Sequence, residues 1–127
     1  METLIHLDTH VVVWLYAGDR ARLRPVWKTL NKSDLAISPI VLLELQYLYE
    51  IGRVTEPAEN VFLDLVERVG LRPSDAPFSS VVKQSLAQNW TRDPFDRLIV
   101  ANAIVDNHPL LTLDEHIRAH FPMAIWK

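Results

Sequence analysis

Near its N-terminus the sequence reads Leu4-Ile5-His6-Leu7-Asp8-Thr9-His10, and an apolar segment then continues to Ala17 and stops at Gly18. The run from Leu4 to Leu7 is typical of a short buried strand, whereas residues 10–17 favour a helix that ends at the glycine. Thr9 suits the N-cap of that helix. Asp8 therefore lies between the end of a predicted strand and the start of a predicted helix.

The same alternation of short apolar strands and helices continues along the chain. Helices are predicted over residues 21–30, from Ser38-Pro39 to Gly52, and over residues 57–69, 76–88, 93–105 and 114–119. Further strands are predicted at residues 35–37, 110–112 and 124–126, and residues 70–72 are predicted to form a turn and a strand. Gly18, Gly52 and Gly70 each end a helical segment. This order predicts an α/β fold with a parallel sheet that is covered by helices on both faces.

Length and composition limit the classes of protein to consider. The 127 residues predict one domain, residues 1–127, and a hydrophobic content of 49% predicts a packed core. The absence of Cys excludes disulfides and cysteine nucleophiles, so any metal would bind oxygen or imidazole.

A formal charge of −3 gives no overall attraction to nucleic acid. No apolar run is long enough to span a membrane, and Met1-Glu2-Thr3 lacks the basic start of a signal peptide, so we expect a cytoplasmic protein.

Glu44 is an acidic residue on the apolar side of a predicted helix. Ile40 and Val41 precede it by four and three residues, and Tyr47 and Leu48 follow at three and four, so all four share its face. A carboxylate on a buried face is costly unless it is paired or binds a metal. Glu44 is therefore a candidate metal ligand, with a buried pair to an arginine as the structural alternative.

Asp93 and Asp96 lie at the start of another predicted helix. In Asp93-Pro94-Phe95-Asp96 the first residue suits the N-cap, the proline suits the first helical position, and the second acid suits a capping box. Capping alone explains both acids. Asp96, however, begins a helix that is apolar almost all round, which favours a rigidly held carboxylate at the sheet edge, with Asp93 as an accessory residue.

Four acids are expected to converge at one edge of the sheet. In open parallel sheets, ligand groups gather beyond the carboxyl ends of the strands, where Asp8 and Asp114 follow predicted strands. A favourable position beside the N-terminus of the following helix explains Asp8 alone, and N-capping explains Asp114 alone. Converging carboxylates, however, repel one another unless a cation is present. Oxygen ligands of this kind suit Mg²⁺ or Mn²⁺, which can activate water and stabilise the leaving oxygen of a phosphodiester. The candidate metal and catalytic residues are Asp8, Glu44, Asp96 and Asp114.

The histidines and tryptophans give weaker signals. His6 is expected in the core, and His10 is close enough in sequence to Asp8 to reach the site. His116 and His120 are four residues apart on a predicted helix, which favours a solvated face. The tryptophans are core or rim residues by default, although Trp14 and Trp90 offer stacking surface for a nucleic acid.

Four motifs spread over essentially the whole chain resemble those of the PIN-domain ribonucleases, specifically the VapC-type toxins of prokaryotic toxin–antitoxin pairs. The motifs are Leu7-Asp8-Thr9-His10, Ser38-Pro39-Ile40 through Glu44, Asp93-Pro94-Phe95-Asp96-Arg97-Leu98-Ile99-Val100-Ala101, and Leu111-Thr112-Leu113-Asp114. The third is the most specific. Many relatives have His directly before the Arg-Asp-Pro of this motif, whereas Thr91 stands here, so contacts to the substrate are expected to differ.

The resemblance implies a three-layer αβα sandwich with a central parallel sheet. It also implies cleavage of RNA by an Mg²⁺- or Mn²⁺-dependent endonuclease through metal-activated water, a homodimer, and neutralisation by a cognate antitoxin. Its metal-binding acids correspond to Asp8, Glu44, Asp96 and Asp114, with Thr112 as a polar neighbour. Arg92 and Arg97 flank this site and are candidates for positioning phosphate, with ordinary surface arginines as the alternative.

Other functions remain open from the sequence. A PIN domain that mainly binds RNA would keep the fold but need not keep all four acids. A receiver-like signalling domain would also bind Mg²⁺ at strand ends, but it needs an acidic pair after the first strand, where Asp8 is followed by Thr9. A dehalogenase-like phosphatase needs a second Asp two residues after Asp8, where His10 stands. Cleavage of RNA distinguishes the nuclease from all three.

Overall fold

The computed structural model describes residues 3–127. Met1 and Glu2, whose lack of basic charge argues against a signal peptide, lie outside the described residues. The strands are β1 (Thr3–Leu7), β2 (Ser33–Ile37), β3 (Arg72–Pro73), β4 (Leu110–Leu111) and β5 (Ala124–Ile125). The helices are α1 (Thr9–Ala17), α2 (Arg20–Leu23), α3 (Trp27–Lys32), α4 (Ile40–Glu50), α5 (Ala58–Val69), α6 (Phe78–Ser85), α7 (Pro94–Asp106) and α8 (Glu115–His120).

The five strands form one parallel sheet in the order β3-β2-β1-β4-β5. The chain builds outward from β1 through β2 to β3, and then crosses back to place β4 on the other side of β1. The strand order therefore reverses between β1 and β4, and such a reversal opens a crevice at the carboxyl ends of the two strands. The predicted α/β class and its parallel sheet flanked by helices are confirmed.

Apolar side chains hold the helices against the sheet. Ile5 and Leu7 of β1 and Ile37 of β2 are almost completely buried, as are Val100 and Ala103 of α7. Helix α4 contacts α1, α5 and α7, and α6 packs along α7. Burial of α7 on several sides explains why its sequence is apolar almost all round.

Helix boundaries differ from the predictions at three places. The helix predicted over residues 21–30 is divided into α2, a 3₁₀ turn at Arg24–Val26 and α3, because Pro25 cannot donate the backbone hydrogen bond that a continuous helix needs. Helix α6 is shorter than its predicted range of 76–88. Asp8 rather than Thr9 is the N-cap of α1.

The glycine predictions are confirmed at the ends of α1 and α5. Gly18 and Gly70 adopt φ values of 70° and 68°, a left-handed conformation that residues with a Cβ rarely adopt. The longest helix of residues 3–127, α7, has 13 residues. Within that range no helix has both the length and the apolar character needed to cross a bilayer.

Candidate active site

Asp8 lies at the carboxyl end of β1, beside the point where the strand order reverses. Only 6% of the residue is exposed. Its Oδ1 accepts a hydrogen bond from the Thr9 backbone N–H at 2.8 Å, and its Oδ2 accepts one from the Thr112 hydroxyl at 2.7 Å. Burial raises the pKa of Asp8 above its usual value, although both hydrogen bonds favour the charged form. A buried carboxylate is therefore held in one orientation at the sheet edge.

Thr112 connects Asp8 with the residue at the start of α8. Its side chain is fully buried just beyond β4, and its Oγ1 accepts a hydrogen bond from the Asp114 backbone N–H at 3.0 Å while donating to Asp8. Asp114 is exposed and caps α8, where its Oδ1 accepts from the Ile117 N–H at 3.0 Å. The capping interpretation of Asp114 is confirmed, and its second carboxylate oxygen has no role in the cap.

Glu44 reaches the same edge from α4. It is half-buried, and its Oε1 accepts a hydrogen bond from the Thr9 hydroxyl at 2.5 Å. Burial, followed by the negative charges of Asp8 and Asp93, raises the pKa of Glu44. The partner of Glu44 is thus a threonine hydroxyl rather than the arginine of the structural alternative, and the carboxylate faces other acids instead of a cation.

Asp96 lies in the first turn of α7, and its pKa reflects the charges of the other acids. Burial raises its pKa from 3.8 to about 7, and the charges of Asp93, Asp8, Asp114 and Glu44 act in the same direction. Each of the other predicted acids is therefore close enough to Asp96 to disfavour its ionisation. The structure brings all four predicted ligands to one edge of the sheet.

Asp93 has a complete structural role as the N-cap of α7. Its Oδ1 accepts hydrogen bonds from the backbone N–H groups of Phe95 at 2.8 Å and Asp96 at 3.3 Å. The capping interpretation of Asp93 is thus confirmed, and its accessory role at the site stays a prediction.

The two arginines near the acids bind the loop that precedes α7. Arg97 Nε donates to the Thr91 carbonyl at 2.9 Å, and Arg92 Nη1 donates to the Asn89 carbonyl, also at 2.9 Å. Neither arginine makes an ion pair with a carboxylate in residues 3–127. Their proposed role with phosphate stays a prediction, and the observed contacts show that both help to shape this loop.

The site opens to solvent through a groove of about 240 Å³. Asp8 and Asp114 line it together with His10, Trp14 and Leu113. His10 is exposed, and its ring centroid lies 6.1 Å from that of Trp14. The expectation that His10 reaches the site agrees with this position.

The donor chemistry of the site fits a hard divalent cation. The side chains that meet here offer carboxylate and hydroxyl oxygens, and none of the four acids makes an ion pair within residues 3–127. Burial raises the pKa values of Asp8, Glu44 and Asp96, and neighbouring carboxylates act in the same direction. Within residues 3–127, no three Asp, Glu or His side chains are close enough together to ligate one ion as they stand. Ion binding would therefore require movement of these side chains, among which Asp114 is exposed.

One cluster beside the acids was missed by sequence reasoning. His116 and His120 are exposed, as predicted, but both rings contact the ring of Trp90. The spacing of the two histidines indicated a shared helix face. Trp90 lies in a loop 26 residues before His116, and nothing in the sequence indicated that it would contact that face.

Comparisons with known proteins agree with this geometry. The family model of the PIN domain matches residues 5–120. The chain is 31% identical to Ribonuclease VapC22 of Mycobacterium tuberculosis over 133 aligned positions, which cover 98% of this chain and 99% of that protein.

Two crystal structures share the fold. They are VapBC2 from Rickettsia felis bound to a DNA fragment from its promoter (TM-score 0.67, 22% identity, 98% of each chain covered) and DNA-bound VapBC from Salmonella typhimurium (TM-score 0.65, 19% identity, 98% of this chain and 96% of that chain).

Proposed function

The chain belongs to the PIN-domain family and to its VapC type, and we propose that it is a metal-dependent endoribonuclease that acts as the toxin of a toxin–antitoxin pair. The observation that carries this proposal is the convergence of Asp8, Glu44, Asp96 and Asp114 at the carboxyl edge of the sheet. The relative with 31% identity is named a ribonuclease, which supports RNA as the substrate.

The same four acids are the residues that would hold Mg²⁺ or Mn²⁺. When bound, such an ion activates water and stabilises the leaving oxygen of the phosphodiester. The chain contributes the orientation of the ligands, since the Thr9 hydroxyl fixes Glu44 and the Thr112 hydroxyl fixes Asp8. Arg92 and Arg97, at the loop before α7, would bind the RNA backbone on either side of the scissile phosphate.

An RNA cleavage assay tests the proposal. A labelled RNA pool is incubated with the purified protein, once with Mn²⁺ and once with excess chelator. We expect cleavage with the ion, no cleavage with chelator, and loss of cleavage in Asp96→Asn. Asp34→Asn is the matched control, because Asp34 is exposed near the amino end of β2, at the opposite edge of the sheet.

One result would contradict the nuclease, and another would contradict the assigned site. RNA binding without metal-dependent cleavage would favour a PIN domain that acts by binding RNA. Equal cleavage rates for Asp96→Asn and the parent would remove Asp96 from the site.

We also propose a cognate antitoxin partner, a homodimer and a cytoplasmic location. Two structures with the same fold are VapBC complexes, which supports the antitoxin. Exposed apolar side chains on α4 and α6, including Leu43 and Phe78, are compatible with a protein–protein contact. Light scattering on the purified chain tests the dimer, since a monomeric mass at micromolar concentration would exclude a stable one.

A further inference from the structure

Three aromatic rings form an ordered cluster on the surface beside the acids. The rings of Trp90 and His120 are parallel within 5°, with centroids 5.1 Å apart. His116 stands edge-on to both, at 5.1 Å from Trp90 and 4.9 Å from His120. Parallel and edge-to-face contacts at these distances are favourable for aromatic rings, so the cluster has a defined geometry.

Hydrogen bonds hold two of the three rings in place. The Trp90 Nε1–H donates to Oε1 of the buried Gln88 at 2.8 Å. The Nδ1 of His120 lies 2.9 Å from the carbonyl oxygen of His116, one helical turn earlier. Trp90 is half-buried and His120 is exposed. Since one face of the His120 ring lies against Trp90, the opposite face is available to a flat ligand.

The cluster is adjacent to the candidate active site. His116 is two residues beyond Asp114, and Trp90 is three residues before Asp93, the cap of α7. The hydrogen bond from Arg97 to the Thr91 carbonyl ties the loop that carries Trp90 to the first turn of α7. The two segments that carry the rings therefore also carry Asp93 and Asp114, which places the rings within reach of a chain molecule whose phosphate lies at the acids.

We propose that Trp90, His116 and His120 form a base-binding subsite for single-stranded RNA, in which a nucleobase near the scissile phosphate stacks on the free face of His120. This inference rests on the proposed function for the identity of its ligand. Stacking on aromatic rings is tolerant of base identity, because every base has a π-face. Arg92, on the same loop as Trp90, supplies positive charge for the adjoining phosphate.

A binding experiment in chelator tests the subsite separately from cleavage. Fluorescence anisotropy is measured with a labelled single-stranded oligoadenylate and with an abasic ribose-phosphate oligomer of the same length. We expect His120→Ala to weaken oligoadenylate binding about tenfold and to leave binding of the abasic oligomer unchanged. His120→Phe, which keeps a flat ring, should restore most of the affinity.

His108→Ala is the matched control for this experiment. His108 precedes β4 and therefore lies at the amino edge of the sheet, opposite the acids, so its replacement should leave both affinities unchanged. Unchanged oligoadenylate binding in folded His120→Ala would overturn the subsite and leave the cluster as a surface for a protein partner. An equal loss with both oligomers would also overturn it, because a loss of that kind concerns phosphate rather than bases.

A second readout covers the case in which His120→Ala does not fold. Oligoadenylate should change the tryptophan fluorescence of the parent more than the abasic oligomer does, because a base on His120 alters the surroundings of the Trp90 ring stacked on its other face. Trp90→Phe should abolish that difference. Persistence of the difference in Trp90→Phe would place the bases elsewhere. Because all binding is measured without metal, a protein that binds bases as described but cuts no RNA would contradict the proposed function and not the subsite.

Discussion

The carboxyl group of Asp96 lies where burial and neighbouring negative charge act in the same direction. Its pKa of about 7 means that the folded protein retains a proton that the unfolded chain, with a pKa of 3.8, releases in mild acid. The favourable contribution of this group to folding is therefore complete below about pH 4 and is lost as the pH rises through about 7. Above that pH, the ionised carboxylate destabilises the fold when no cation is bound.

Asp96→Asn should flatten this pH dependence, because asparagine resembles the protonated acid and cannot ionise. In chelator, the melting temperature of the parent should fall relative to that of the variant between about pH 5 and about pH 8. Thermal melts followed by circular dichroism measure the difference. Groups distant from Asp96, including His6, are common to both proteins and cancel in the comparison, so the difference reports Asp96 together with the acids that interact with it. Parallel pH profiles for parent and variant would show that Asp96 ionises normally.

Helix α7 carries Asp96 and is fastened to the sheet at its other end. Oδ2 of Asp106, the last residue of α7, lies 2.8 Å from Nε2 of His6, 2.6 Å from the Ser74 hydroxyl and 3.2 Å from Nδ2 of Asn102. His6 is buried in β1, as predicted, and burial lowers its pKa despite the nearby carboxylate. Its Nδ1 has no hydrogen-bond partner among the described residues. One carboxylate therefore connects the helix to β1 and to the end of β3.

Asp106→Ala should destabilise the protein by about 1–3 kcal/mol, because it leaves the polar groups of His6, Ser74 and Asn102 without their shared acceptor. Urea unfolding followed by fluorescence gives the free energy of unfolding. Asp64→Ala is the matched control: Asp64 forms an exposed pair with Arg68 on α5, and such pairs contribute about 0–1 kcal/mol. An equal loss of unfolding free energy in the two variants would show that the hydrogen bonds of Asp106 stabilise the protein no more than an exposed ion pair does.

Among the helices and strands, the sequence predicted those features that depend on local hydrophobic pattern and on the order of strands along the chain. Asp8 and Asp114 could be assigned to the site because they follow strands, and Asp96 because it starts an apolar helix. The contact of His6 with Asp106 joins residues 100 positions apart, and no local pattern indicates it. Pro25 was the available signal for the break between α2 and α3. The cluster around Trp90 depends on how a loop and α8 meet, which is decided by tertiary packing.

For the whole molecule, the acids matter because they come from different parts of the chain. Asp8 follows β1, Glu44 lies on α4, Asp96 begins α7 and Asp114 follows β4. An ion bound by all of them would connect elements on both sides of the reversal in strand order. It would also offset the burial and the repulsion between carboxylates that raise the pKa values of Asp8, Glu44 and Asp96.

Mn²⁺ or Mg²⁺ should therefore raise the melting temperature. An ion that binds only the folded protein stabilises it by about 2.7 kcal/mol at a free concentration of about 100 times Kd. Melts with increasing Mn²⁺ at about pH 8 measure the effect, which Asp34→Asn should retain and Asp8→Asn should reduce. If neither ion changes the melting temperature of the parent or of Asp8→Asn, the proposed metal site is contradicted.

The acidic edge also predicts how a protein inhibitor would act. A pocket of uncompensated carboxylates on a chain of net charge −3 attracts cations, and a guanidinium can bind a carboxylate through two hydrogen bonds. We predict that the antitoxin inserts at least one arginine side chain that reaches Asp8, Asp96 or Asp114. The purified complex should then bind less Mn²⁺ and cut RNA more slowly than the free chain, and replacing that arginine with glutamine should restore both. A complex that binds Mn²⁺ and cuts RNA as the free chain does would exclude inhibition from within the site.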